Sequence, residues 1–234
     1  GFKVNSGEYK LMGLAPYGKP IYKDRIKNNL IDIKPNGSFK LNQEYFNYAT
    51  GLTMTNRKFD KLFGQKPRDS KNQQITQFHM DIAASIQDVT EEIVIKIVKS
   101  LKDEFNINNL CLAGGVALNC VANGKILKER IFKNVWVQPA SGDAGGSLGA
   151  ALAFWFLNKN KIRKINENHD SMNGSYLGPE YSPKKIREQL DNAGAVYSKI
   201  EEDELIEKIS NDIIDGKTIG WFQGRMEFGP RALG

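Results

Sequence analysis

Cysteine and histidine are nearly absent. In 234 residues there are two of each. The cysteines, Cys111 and Cys120, form no Cys-x-x-Cys pair, so neither a disulfide framework nor a zinc pattern is written here. A reduced, cytoplasmic setting is the expectation. No apolar run reaches the ~20 residues a membrane-spanning helix needs. The greasiest stretch, 150–157, is too short. The opening GFKVNSGEYK lacks signal-peptide organisation. Neither G-x-G-x-x-G nor G-x-x-x-x-G-K-[ST] occurs, which excludes a Rossmann dinucleotide fingerprint and a Walker phosphate loop. No repeat of fixed period is present. The positive excess of +6 is not gathered into one tract, so no nucleic-acid arm is expected. It fits a lysine-rich solvated surface first, and as the alternative a site that attracts polyanions or phosphate-bearing ligands.

What is present fits a globular chain. Hydrophobic residues make up 40% and charged residues 26%, and the length suffices to bury a core. Residues 7–19 are a Gly/Pro-punctuated segment joining a short helix to a loop. Residues 20–75 are polar and weakly periodic, with a short strand over 38–41. From 76 to 101, Ile82, Ile86, Val89, Ile93, Ile97 and Leu101 recur at three- and four-residue steps, which predicts a helix with one buried face. Strands are expected over 108–113 and 134–138, the second stopped by Pro139. Helices are expected over 117–129 and 147–157. Residues 158–175, NKNKIRKINENHDSMNGS, have linker composition. Beyond them, Ser182 with Pro183 starts a helix to about 192. A strand over 195–200, a helix over 202–215 ended by Gly216, and a strand over 218–222 follow. This alternation predicts α/β architecture on both sides of the linker.

Three segments carry chemistry. In LAGGVALN, 112–119, a buried strand meets two glycines and then a helix. The helix start offers N–H groups and a positive dipole end, which suits a phosphate. A tight turn without ligand is the alternative. PASGDAGGSLGAAL, 139–152, repeats the geometry with Asp143 in the loop beside Gly142. That carboxylate can ligate a hard cation or place a phosphate-bound metal; the alternative is an N-cap. WFQGRMEFGPRALG, 221–234, sets Arg225, Glu227 and Arg231 among glycines and apolar residues. A guanidinium fork suits phosphate or carboxylate. Arg225 and Glu227 would share one face of a strand. The apolar surroundings favour a functional reading over a surface ion pair.

Together with GEYKLMGLAPYG, 7–18, these motifs resemble, in order and across essentially the whole chain, the carbamoyltransferases of nodulation factors, aminoglycosides and cephem antibiotics. The resemblance implies the C-terminal half of an actin-like domain (1–157), a linker (158–175), and the beginning of a YrdC-like domain (176–234). It implies ATP and carbamoyl phosphate as co-substrates, carbamoyladenylate as intermediate, and a small-molecule hydroxyl acceptor: a sugar, an aminoglycoside or a polysaccharide precursor. A divalent metal, iron in this family, is implied, with magnesium accompanying ATP. Asp143 matches the metal-ligand aspartate. Gly114, Gly115 and Asn119 match the nucleotide loop, with Gly142 beside it. Glu8 and Lys10 match a segment lining the nucleotide and acceptor cleft. Arg225 and Arg231 match the motif that opens the carbamoyladenylate-forming site.

Nucleic acid and membrane are not expected partners, and the oligomeric state stays open, a homodimer among the options. The family's two metal-ligating histidines belong to a preceding half. Here His79 is expected to be structural and His169 solvated. The chain therefore reads as an interior piece of a longer enzyme, incomplete by itself. A tRNA threonylcarbamoyltransferase-like protein and a non-catalytic actin-like nucleotide binder are the alternatives.

Overall fold

The computed structural model describes residues 1–4, 7–164, 170–229 and 232. Two compact units divide the chain, Gly1–Gln138 and Pro139–Gly234. Both belong to a mixed α/β protein with small sheets. The expected linker lies inside the second unit, and His169 and Arg231 lie outside the described residues.

The first unit is organised on one long helix. Its elements are α1 (Glu8–Leu14), α2 (Lys23–Asn29), β1 (Ile31–Ile33), β2 (Phe39–Leu41), α3 (Arg57–Phe63), α4 (Gln77–Phe105), β3 (Asn109–Leu112), α5 (Cys120–Glu129) and β4 (Asn134–Val137). β1 and β2 pair antiparallel, Ile31 opposite Leu41. β3 and β4 pair parallel, with Leu110 opposite Val135 and Leu112 opposite Val137.

Helix α4 buries more than the one face its periodicity announces. Val89 and Ile93 pack with Ile26, Leu30 and Phe63, and Ile82, Ile86 and Ile97 lie against the same cluster. Ile95 and Val98 point elsewhere and form a second cluster with Leu110, Ile126 and Phe132. Two cores thus share α4, one with α2 and α3, the other with β3 and α5. The helix ends at Asn106 in the left-handed conformation, φ 50°. Asparagine tolerates this better than most residues.

A polar ridge on α4 holds the GLAPYGK segment. Asp81 is buried and accepts from the Lys19 N–H (2.8 Å) and from Gln77 Nε2 (2.8 Å). Those donors keep its carboxyl below the usual carboxylate range, Gln77 most of all. Fully buried Ser85 accepts from the Tyr22 N–H (3.0 Å) and donates to the Asp81 carbonyl (2.6 Å). At the helix start, His79 Nδ1 accepts from the Thr76 N–H (3.0 Å), the side-chain-to-backbone half of a capping box. That is a structural role, as expected for His79.

In the second unit, α6 (Asp143–Ala153) continues as a π-helical turn to Asn158, and α7 (Pro183–Asn192) and α8 (Glu202–Ile214) follow. Ser182 caps α7, its Oγ accepting from the Lys185 N–H at 3.3 Å. Two expectations are corrected. Residues 195–200 and 218–222 form no strand. A strand exists only when its backbone groups find a partner ladder, and no sheet is formed within this unit among the described residues. Instead, residues 175–179 pair with the C-terminal motif through Gly178 N–H to Met226 O (2.9 Å), Met226 N–H to Pro179 O (2.9 Å) and Phe228 N–H to Ser175 O (2.7 Å).

Candidate functional site

The turn after β3 brings three expected residues together. Gly114 has φ 97°, a conformation that costs a side-chain-bearing residue strain. A short 3-10 turn, Gly115–Leu118, intervenes before α5, so the α-helix proper starts at Cys120, later than the pattern suggested. Gly115 needs neither a positive φ nor tight packing, because a Cβ there would meet nothing within 4 Å. Its lack of a side chain is unexplained by the protein's own contacts and leaves backbone open to an approaching ligand. Both glycines are exposed. Asn119 caps α5: its Oδ1 accepts the Ala122 N–H (3.1 Å). The same amide forms a reciprocal pair with Gln87 of α4, at 3.1 and 2.9 Å.

Glu8 and Lys10 sit on α1. Two residues apart on a helix, they project to different sides. Glu8 lines a cavity of about 870 Å³ with Phe2, Leu11, Met54 and Phe59. The Lys10 ammonium lies 5.8 Å from the centre of the Tyr9 ring. That cavity contains none of the β3-turn residues. A second groove of about 830 Å³ beside β1 and β2 is lined by Lys27, Lys40, Lys96 and amide side chains, and holds none of the motif residues.

In the second unit, α6 begins four residues earlier than expected. Asp143 is its first residue, with Gly142 as an extended N-cap that makes no side-chain bond. The Asp143 carboxylate is thus exposed in the first turn, where the helix dipole favours negative charge, rather than in the loop. Gly145 is required sterically, since a Cβ there would collide with the Ala140 carbonyl oxygen. That contact presses the loop onto the helix, burying Ala140 and Ser141. Ser141 Oγ is buried without a hydrogen-bond partner, which a folded protein rarely tolerates.

Arg225 is not on a strand, and it does not pair with Glu227. Its guanidinium bonds the Gly178 carbonyl (2.8 Å) and Glu180 (2.8 Å). Gly229, at the start of GPRALG, lies against the Pro139 carbonyl. Arg231 falls outside the described residues.

Among the described residues no cluster of three or more His, Cys, Asp or Glu side chains could hold a metal. Asp143 offers one carboxylate, and these residues alone do not make a metal centre. No helix among them is long and apolar enough to cross a membrane.

The fold and these loops define an α/β protein with two glycine-rich turns, each opening a helix. The chain belongs to the carbamoyltransferase family. The family model described as carbamoyltransferase N-terminus matches residues 1–152, and that described as carbamoyltransferase C-terminus matches residues 210–234. An uncharacterised protein of Synechocystis is 56% identical over the whole chain, which covers 38% of that protein. The nodulation protein NolNO of Sinorhizobium fredii is 36% identical over 97% of the chain and is covered to 31% of its own length. The nodulation protein NolO of Bradyrhizobium diazoefficiens is 33% identical over 97%, covered to 38%. The chain thus spans about a third of the length of these relatives.

The sequence did not single out Asp81, Ser85 or Gln87. A signal existed: Gln77, Asp81 and Ser85 stand four apart, as do Gln87 and Glu91, so each set forms a polar row on a helix beside its apolar stripe.

Proposed function

We propose that this chain is part of an ATP-dependent O-carbamoyltransferase. It uses carbamoyl phosphate, proceeds through carbamoyladenylate, and carbamoylates a hydroxyl of a sugar, antibiotic or polysaccharide acceptor. The observation that carries this reading is the order of the two family matches along one chain, N-terminal type then C-terminal type. In this proposal residues 1–157 belong to an actin-like transfer domain, 158–175 form a linker, and 176–234 begin a YrdC-like domain. The setting is cytoplasmic.

The β3 turn receives the nucleotide. The exposed backbone at Gly115, open where a Cβ would stand, supports that role. Asp143 supplies one carboxylate to a metal centre whose other ligands lie outside this chain. Glu8 and Lys10 border the nucleotide and acceptor cleft. Arg225 and Arg231 serve formation of the adenylate. In the transfer step the acceptor oxygen bonds the carbamoyl carbon, the bond from that carbon to the AMP phosphate oxygen breaks, and AMP leaves. The hydroxyl proton is lost to solvent.

The test separates the half-reactions in the full-length protein. Arg231→Lys keeps charge and loses the fork. It should largely stop ATP- and carbamoyl-phosphate-dependent pyrophosphate release while sparing transfer from supplied carbamoyladenylate. Asp143→Ala should do the reverse. Loss of the same half-reaction in both variants would sink the two-site assignment, as would turnover by the isolated 234-residue chain.

A further inference from the structure

Gln87 of α4 hydrogen-bonds to Asn119 at the end of the β3 turn. Gln87 is half-buried, and both ends of its amide are engaged. Its Nε2 donates to Asn119 Oδ1 (3.1 Å) and to Glu91 Oε1 (2.8 Å), and its Oε1 accepts from Asn119 Nδ2 (2.9 Å). Glu91 in turn lies 3.4 Å from the Lys125 ammonium on α5.

The orientation of the pair is fixed by logic as well as distance. Asn119 Oδ1 must be the acceptor, because it receives the Ala122 N–H. Nδ2 therefore faces Gln87 Oε1, and Gln87 Nε2 has only acceptors before it. Asn119 also closes the turn, its own N–H reaching the Val116 carbonyl at 2.9 Å, while Asn123 Nδ2 holds the Ala117 carbonyl at 2.7 Å. The amide pair thus ties α4 to the end of the Gly114–Leu118 turn, while apolar packing and the Glu91–Lys125 contact hold the flanking β3 and α5 on the same helix.

We propose that Gln87 is a positioning residue for the nucleotide: it sets Asn119, and Asn119 sets the β3 turn that receives the ligand. A turn held this way presents its backbone without having to be ordered at each binding event. Gln87 touches no ligand in this scheme, and its effect is transmitted through Asn119. The inference rests on the nucleotide-turn reading above.

The experiment uses the full-length protein with ATP as probe. Gln87→Met keeps the volume and the helix preference and removes both bonds to Asn119. ATP affinity should fall about tenfold, in line with losing part-buried hydrogen bonds that orient a binding segment. The KM for ATP should rise with kcat nearly unchanged, as for loss of uniform binding. Amide exchange at Ala122 and Asn123 should quicken while Val89 and Ile93 stay protected, which a general loss of stability would not produce. Should Gln87→Met fail to fold, Gln87→Leu carries the test with the same expected loss of ATP affinity, since it likewise removes both bonds to Asn119, adds no charge and keeps a high helix preference. Gly115→Val serves as control. If Gly115→Val abolishes ATP binding and Gln87→Met changes it by less than about twofold, the positioning role is rejected and the nucleotide turn stands. If Gly115→Val leaves affinity intact, the nucleotide-turn reading falls, and this proposal with it.

Discussion

Ser85 shows how a short polar side chain can hold a motif. It is fully buried and satisfies the Tyr22 N–H, which ends the approach of the GLAPYGK segment to α4. Ser85→Ala leaves that N–H without its acceptor and should cost about 1–2 kcal/mol, read as a lower denaturation midpoint at unchanged slope. An unaltered midpoint would mean that water replaces the hydroxyl. Residue-level legibility was uneven for physical reasons. The turn at Gly114 and Gly115 was readable because two glycines after an apolar strand mark where the chain bends into the next element. The pairing of Asn119 with Gln87 was hidden, because the two are 32 residues apart. Arg225 was expected on a strand, sharing one face with Glu227. The partner it takes, Glu180, is 45 residues distant, which no local spacing reveals.

At the scale of elements, α4 was the most legible because a 3.6-residue period sums over seven or more turns. Its second buried face, at Ile95 and Val98, was not legible, since it depends on β3 and α5 arriving there. The strands expected at 195–200 and 218–222 failed for the converse reason: β-propensity marks a segment that fits a sheet and cannot supply the sheet. Helix α4 also carries a predictable pH response. Burial first, and the Arg68 charge next, hold the His79 imidazole below its ordinary value. Its neutral form caps the helix, so this stability is fully present above the unfolded value near 6.5 and is lost as pH falls through the lower folded value. Farther along, Lys27 foremost, with Lys96 and Lys23, holds the Glu92 carboxyl down to about 2 against the opposing effect of burial. That contribution is present above about 4.5 and fades toward about 2. Solvent screening limits it to about 1 kcal/mol. Stability should therefore decline in two acid steps. His79→Gln, which caps through an amide at any pH, should flatten the upper step, and Glu92→Gln the lower. A profile unchanged by His79→Gln would remove the histidine from the account.

Across the whole molecule, burial is divided unequally. The first unit contains both apolar clusters, while in the second only Ala140, Ser141 and Ser175 are buried among the described residues. No residue of α6, α7 or α8 is buried. Helix α8 has an amphipathic sequence, yet Ile206, Ile213 and Ile214 are 53%, 59% and 80% exposed. A helix of this length gains most of its stability from tertiary packing of its apolar stripe, and an isolated one is marginal in water. Local opening should then cost little in α7 and α8 and approach the global value in α4. Native-state hydrogen exchange on the 234-residue chain should show α8 amides exchanging at least about a hundredfold faster than those of Val89, Ile93 and Val98, a gap of roughly 2.7 kcal/mol in opening free energy. In the full-length protein, additional chain is available to cover the α8 stripe, and protection there should rise while that of α4 changes little. Equal protection of α4 and α8 in the 234-residue chain would show that the second unit draws stability from something other than buried apolar surface. Unchanged α8 exchange in the full-length protein would show that its isoleucines stay uncovered there too.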